Sequence, residues 1–279
     1  RRTRLMRRPW FDMLEDRRVL AVFNVSAEFA DGATGSLRWA INQANANSED
    51  DTINLAAGTY VMTVTGSTNT TGDFDITGSG RTVTIVGADR ATTIINGNGI
   101  DRVFDVASGA TLNFESLTVT GGVASRGGGI QVSGGSLSLL DVAVSGNQSS
   151  IEGGGIRASS VSTVSLTDSV ISGNTASGAG GGVHHLGGTL TITDSVVSGN
   201  ATTKFGGGVY ADGGSSGYVV SISGSAFEDN SAGTGSYSGG GLYVGTGTLS
   251  IDDSIFRGNT SGAGGGLYIK GSDDSLIAN

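Results

Sequence analysis

The sequence predicts an all-β chain wound as a right-handed parallel β-helix. Each coil has about 26 residues and three short strands, and a strand and a helix cap the N-terminal end. Three observations carry this reading: the composition, a repeat of nearly constant length, and apolar alternation inside each repeat. Of 279 residues, 50 are Gly, one is Pro and none is Cys; hydrophobic residues make up 37% and charged ones 15%. Polarity therefore resides in Ser, Thr, Asn and Gly, not in the long charged side chains that cover soluble helices, which disfavours a helical bundle. Gly exceeds its usual ~7%, yet no Gly-x-y period with Pro exists, so collagen is excluded. Without Cys there is neither a disulfide framework nor a zinc–thiolate site. No apolar run reaches the ~20 residues of a membrane-spanning helix, so no transmembrane segment is expected.

Taken in chain order, residues 1–20 come first, with seven Arg in 1–18 against Asp12, Glu15 and Asp16. They read as a basic sorting segment, disordered or removed, whose VLAVF run is a weak signal-peptide core. The rest is more acidic than the net −9 of the whole chain, a poor match for nucleic acid, which needs clustered Lys and Arg. Residues 21–50 form the cap. AVFNV (21–25) is a strand, and GSLRWAINQANAN (35–47) is a helix with Ser36 as N-cap and Leu37, Ala40, Ile41 and Ala44 on one face. A β-helix needs such a cover because its end is an open strand edge. Residues 51–279 are the β-helix. Its first coils are irregular: DTINLAAGTYVMTV (51–64), DFDIT (73–77), RTVTIVG (81–87) and TTIING (92–97) alternate as strands do.

Beyond them the repeat is explicit. Gly triplets begin at Gly127, Gly153, Gly180, Gly206, Gly239 and Gly264, and Asn recurs in step at Asn147, Asn174, Asn200, Asn230 and Asn259. One phrase joins triplet to Asn, clearest in GGGVHHLGGTLTITDSVVSGN (180–200). Aligned units give apolar columns: Ile130, Ile156, Val183, Val209, Leu242 and Leu267 after the triplet, then Leu137, Val164, Leu190, Val220 and Leu249, and others like them. Like residues stacked at ~4.8 Å inside a coil explain this pattern. Leucine-rich repeats and propeller blades need other frames or longer periods. A left-handed hexapeptide helix would show a six-residue subperiod, and right-handed crossover is the rule for parallel strands. The chain stops at DDSLIAN, which reads as a truncated copy of the phrase with no C-terminal cap.

The cap segment resembles the CSLREA domain of bacterial secreted proteins, in which C-S-L-R-E-A-I precedes A-N and D-T-I-x-L-P-A-G-T-Y. Ser36, Leu37, Arg38, Ala40 and Ile41 match, as do Ala44, Asn45, Asp51, Thr52, Ile53, Leu55, Ala57, Gly58, Thr59 and Tyr60. Gly35, Trp39 and Ala56 replace the Cys, Glu and Pro. The coils resemble polymorphic outer-membrane protein repeats, with Phe227–Asn230 and Phe256–Asn259 matching F-x-x-N, and LEDRRVL (14–20) is similar to an N-terminal motif of large bacterial surface proteins. The resemblance implies a secreted or cell-surface setting, including the outer membrane, and adhesin-like relatives; others of the fold cleave acidic polysaccharides.

Three columns are candidate sites. Asn147, Asn174, Asn200, Asn230 and Asn259 read as a structural ladder: Asn tolerates a left-handed turn, and its amide both donates and accepts. Asp141, Asp168, Asp194 and Asp253, with Gly224 in the gap, are open to two readings: capping of their own turns, or a column binding Ca²⁺. Tyr210, Tyr243 and Tyr268, with His184 and Arg157 in the same column, are expected to face outward, either as a strip for glycans or protein partners or as coil-to-coil stacking. His185, next to His184, is expected to point inward. No nucleophile–base motif is present, and near-perfect repetition argues against a catalytic site. The sequence therefore reads as a non-enzymatic adhesin-like or structural module requiring no cofactor, possible Ca²⁺ aside. A polysaccharide lyase or hydrolase of the pectate-lyase-like β-helix type is the alternative.

Overall fold

A computed structural model describes residues 20–66, 68, 70–214, 218–234, 239–270 and 275–277. All but the last residue of the basic 1–20 segment lies outside them.

Alternating apolar residues can hide on one side of a strand only if another layer covers them, and here the chain covers them by coiling. It forms a right-handed parallel β-helix of about nine turns. Sheet I has ten strands, from Ala21–Val25 and Asp51–Leu55 through Gly188–Thr193 to Ser275–Ile277. Sheet II has eight, from Phe74–Ile76 to Leu267–Ile269, and sheet III eight, from Gly58–Val61 to Ile255–Arg257. The expected three strands per coil hold for most turns. A fourth, short sheet IV intervenes in the middle coils, where Val123–Arg126, Gln148–Glu152, Thr175–Ala176 and Ala201–Thr202 pair. Its last strands are two residues long and alternate too briefly to be read from sequence. Two isolated bridges, Ala201–Ser231 and Ser231–Thr260, extend it.

In the regular coils the registered pairs join equivalent letters of the repeat. Ile156 lies opposite Ile130 and Val183, and Leu190 opposite Val164 and Val220. All of these are buried in one continuous core. Aromatic rings pack in the N-terminal interior, where Phe104 lies 5.2 Å from Phe74 and 4.8 Å from Phe114. Phe227 and Phe256 of the F-x-x-N phrases stack at 4.6 Å.

The Gly triplet turns the corner into sheet II, and 180–182 shows why it is glycine. Gly180 has φ +67°, and a Cβ there would press on the carbonyl oxygen of Val183 and on His184. A Cβ on Gly181 would strike the Gly207 and Ala201 carbonyls of the next coil, and one on Gly182 would meet the Gly208 carbonyl and crowd the Asn200 amide at 3.0 Å. Triplet and Asn are thus one device: the glycines clear the space that the ladder occupies.

At the N-terminal end Ala21–Val25 is the edge strand of sheet I, paired to Asp51–Leu55. The helix Leu37–Ala46 starts where Ser36 Oγ accepts from the Trp39 amide at 3.2 Å, and it buries Leu37, Ala40, Ile41 and Ala44. Arg38 is buried too. Its guanidinium pairs with Asp31 at 2.7 Å, donates to the Gly72 and Asp73 carbonyls, and lies over the Phe74 ring at 4.6 Å. One side chain so ties the cap loop, the helix and the first strand of sheet II together.

Candidate functional site: the outer face of sheet II

On sheet I the outward positions are mostly Ser and Thr, and on sheet III they mix Ser and Thr with Val, Ile and Ala. Sheet II differs. Its central outward column runs Asp75, Asp105, Gln131, Arg157, His184, Tyr210, Tyr243 and Tyr268, each aligned with the next across parallel strands. Charged, ionisable and aromatic groups therefore share one line along the axis, acidic at the capped end and aromatic at the other.

The aromatic end is built from stacked planes. His184 and Tyr210 lie 4.9 Å apart at 7°, Tyr210 and Tyr243 4.8 Å at 7°, and Tyr243 and Tyr268 5.6 Å at 10°. Phe205, just before a triplet, leans over Tyr210 and Tyr243 at 6.3 and 5.4 Å. Stacking consumes the ring faces: His184 is 3% and Tyr243 5% exposed, while Tyr210 and Tyr268 are half-buried. The outward-facing histidine expected from sequence is thus on the outer face but not in solvent, because neighbouring rings one strand away cover it. Burial pushes its pKa down to about 4 and pushes those of Tyr210 and Tyr243 up. Tyr210 donates its hydroxyl to Asp212 at 3.2 Å. Arg157 bonds Glu152 at 3.2 Å, Ser159 and Gln131, and Glu152 also meets Arg126 at 3.4 Å.

The acidic end went unrecognised in sequence. Asp73, Asp75 and Asp105 each bring a carboxylate oxygen within 4.8 Å of the others, and among the described residues no other trio of acids or histidines does so. Arg102 enters the cluster, 3.0 Å from Asp73 and 2.6 Å from Asp105. Burial raises Asp73 and Asp75 to about 6 and raises Asp105; Arg102 opposes this, and the neighbouring acids add to it. An oxygen-only set suits calcium, though Arg102 already neutralises two of the three carboxylates, so an ion would compete with it. The D-x-D spelling at 73–75 was the available signal; Asp105, a full coil later in an irregular region, was not readable.

The expected Asp column has another role. Asp141, Asp168, Asp194 and Asp253 adopt left-handed φ of 44–52°, the position that Gly224 takes at 59°. Their carboxylates make no bond to the amides of their own turns; that of Asp141 accepts from Ser116 and meets Arg90 at 3.1 Å. The capping is done by the next residue, from the next coil. Ser169, Ser195, Ser225 and Ser254 accept from the amides of Val142, Ser169, Ser195 and Ser225 at 3.0–3.1 Å. This second ladder was spelled in the recurring D-S and G-S pairs.

The Asn column is a ladder throughout. Each Asn Oδ1 from Asn174 to Asn259 accepts the backbone and side-chain amides of the preceding coil's Asn at 2.9–3.1 Å, and Asn147 Oδ1 accepts the Gly122 amide at 2.9 Å. The left-handed turn falls on the preceding residue (Gly146, Gly173, Gly199, Asp229, Gly258), leaving Asn itself in ordinary backbone. His185 points inward, fully buried, with Nδ1 3.0 Å from the Tyr218 hydroxyl. A separate hollow of about 410 Å³ at the cap edge, lined by Asn24, Val25, Ser26, Asn54, Leu55 and Ala56, holds no ionisable group.

No family model and no curated protein matches the chain. A solved structure described as the crystal structure of pectate lyase Pel9A overlaps 91% of this chain and 78% of its own, at 15% identity and a TM-score of 0.41. A likeness so loose carries no argument about chemistry. Among the described residues no helix is long and apolar enough to cross a membrane.

Proposed function

We propose that the protein is a secreted or surface-displayed β-helical module, adhesin-like and without catalytic activity, that binds an extended glycan along the outer face of sheet II. The observation that carries this reading is the single column from Asp75 to Tyr268, where groups suited to sugar hydroxyls and ring edges follow the long axis. Stacked rings offer edges and phenolic hydroxyls, not faces, so contact with a ligand is through hydrogen bonds. The buried members, His184 and Tyr243, hold the column rigid. A glycan array with residues 21–279, run with calcium and with chelator, tests it. Binding is expected for wild type and reduced for Tyr268→Ala and for Asp75→Asn; equal binding by both variants removes this face from consideration.

The second reading is a polysaccharide lyase or hydrolase, and the specific observation in its favour is the Asp73, Asp75 and Asp105 cluster beside Arg102. Incubation with acidic polysaccharides, with and without calcium, separates the two. Unsaturated or reducing-end product that disappears in Asp105→Asn would establish the enzyme; no product with any substrate supports the binding module.

A further inference from the structure

The Asn and Ser ladders leave their buried polar atoms bonded; His185 belongs to neither. It is fully buried, its Nδ1 lies 3.0 Å from the Tyr218 hydroxyl, and its Nε2 has no hydrogen-bond partner. The two rings stack at 5.4 Å and 13°. Tyr218 is itself buried, so the pair crosses the interior from sheet II to the start of the sheet I strand Val219–Ser223. Neighbouring coils make the space. His185 lies between Ala158 and Ala211, in a column that elsewhere holds Val132, Val244 and Ile269. Val219 is in register with Thr189 and Thr248, which sets Tyr218 between Gly188 and Gly247. A Cβ on Gly247 would press on the Tyr218 Cβ at 2.9 Å. Small residues on both sides are what admit the pair to the core.

The charges around the two adjacent histidines differ. His184, on the outer face, has Glu152 and Asp212 to offset a positive charge, against Arg157 and Arg126. Toward His185 the ionisable groups are His184 on its own strand and Tyr218 from sheet I; the flanking strands present Ala158 and Ala211, and the Ser162 backbone alone favours its proton. No carboxylate is among them. Asp212, close to Tyr218, is engaged by the Tyr210 hydroxyl, the Gly214 amide and Thr246. A proton on His185 therefore puts a cation in the core without a counter-ion, a cost that access to water removes. Burial holds the pKa of His185 down to about 4, so the folded protein keeps the ring neutral. The sign follows from that depression: the penalty is absent above the unfolded value near 6.5 and grows as pH falls toward 4.

We infer that His185 and Tyr218 form an acid-operated latch: protonation of His185 separates the two rings and opens this coil locally, between Val183–His185 and Val219–Ser223, while the rest of the β-helix stays wound. The test is amide hydrogen exchange of the full chain between pH 7 and 4.5, corrected for intrinsic rates. Val219–Ser223 is read against Thr111–Glu115, four strands away in sheet I. The opening constant of Val219–Ser223 is expected to rise about tenfold per pH unit below about 6, the slope of one proton, with little change in Thr111–Glu115. His185→Val puts in this column the residue that Val132 and Val244 already supply, and should remove the rise. His185→Leu fills more of the ring's volume and serves if the first variant folds poorly. His184→Gln should retain the rise. No rise in wild type, an equal rise in Thr111–Glu115, or a rise that survives the His185 variants overturns the inference, as does its loss in His184→Gln.

Discussion

Asn200 shows what a repeated polar residue does in this molecule. Its Oδ1 takes two donors from Asn174, and its Nδ2 gives to the Ile171 carbonyl at 2.8 Å and to Asn230 at 3.0 Å. All four partners belong to buried residues. Asn200→Ala strands them, and with roughly 1–3 kcal/mol for each buried group left unsatisfied the loss should reach about 3 kcal/mol or more, read as a lowered urea midpoint. A change below 1 kcal/mol would mean that the ladder is decorative. The period of the Asn was legible because a rare geometry is met by one residue type. The Ser ladder was not, since Ser is common in turns and its partner belongs to another coil. Titration at this scale has opposing signs. Asp75, raised to about 6, binds its proton more tightly folded than unfolded, so its contribution falls as pH rises from about 4 to 6. His184 and His185, pushed down to about 4, bind protons less tightly folded, so theirs falls as pH drops from about 6.5 to 4. Asp75→Asn removes only the first. The variant should exceed wild type in stability at pH 7, with a gain that shrinks toward pH 4, and should lose stability more steeply on acidification. Urea midpoints between pH 4 and 7 check this, and a gain independent of pH would contradict it.

At the scale of elements, turns decide the register. Most corners place Gly where φ is positive, but the coil entering Ser162–Thr167 uses Ser160 and Val161 at φ 62° and 57°, whereas the next coil makes its turn with Gly187 and Gly188, the latter opposite Ser162. Left-handed backbone costs a β-branched residue roughly 1–2 kcal/mol, and Val161 is 79% exposed, so its side chain returns little burial. Val161→Asn, a residue that tolerates this region, should therefore stabilise the protein by about 1 kcal/mol. A lowered melting temperature would show that Val161 packs against something. Strands of sheets I, II and III were readable because apolar positions recur in step, as at Leu190, Val183 and Val197. Sheet IV was not, because Thr175–Ala176 and Ala201–Thr202 have no room to alternate. The cap helix was readable through Ser36 and its apolar face, whereas buried Arg38 was legible only as a motif letter, not as the cap's ion-pair anchor.

For the whole molecule, the coils supply from one backbone a core of repeated apolar residues and a chemically mixed line on sheet II. The core and the proposed face on sheet II exist only if equivalent residues of successive coils are neighbours in space. The absence of Cys in the sequence makes that directly measurable. Spin labels on cysteines at Thr84 and Ser250 are separated by six strand-to-strand steps, and pulsed dipolar spectroscopy should read about 29 Å from that stacking. Moving the first label to Asn113 should shorten the distance by about one strand spacing, ~4.8 Å. A distance that does not fall in step with the number of intervening coils would contradict the winding and, with it, the proposed face on sheet II.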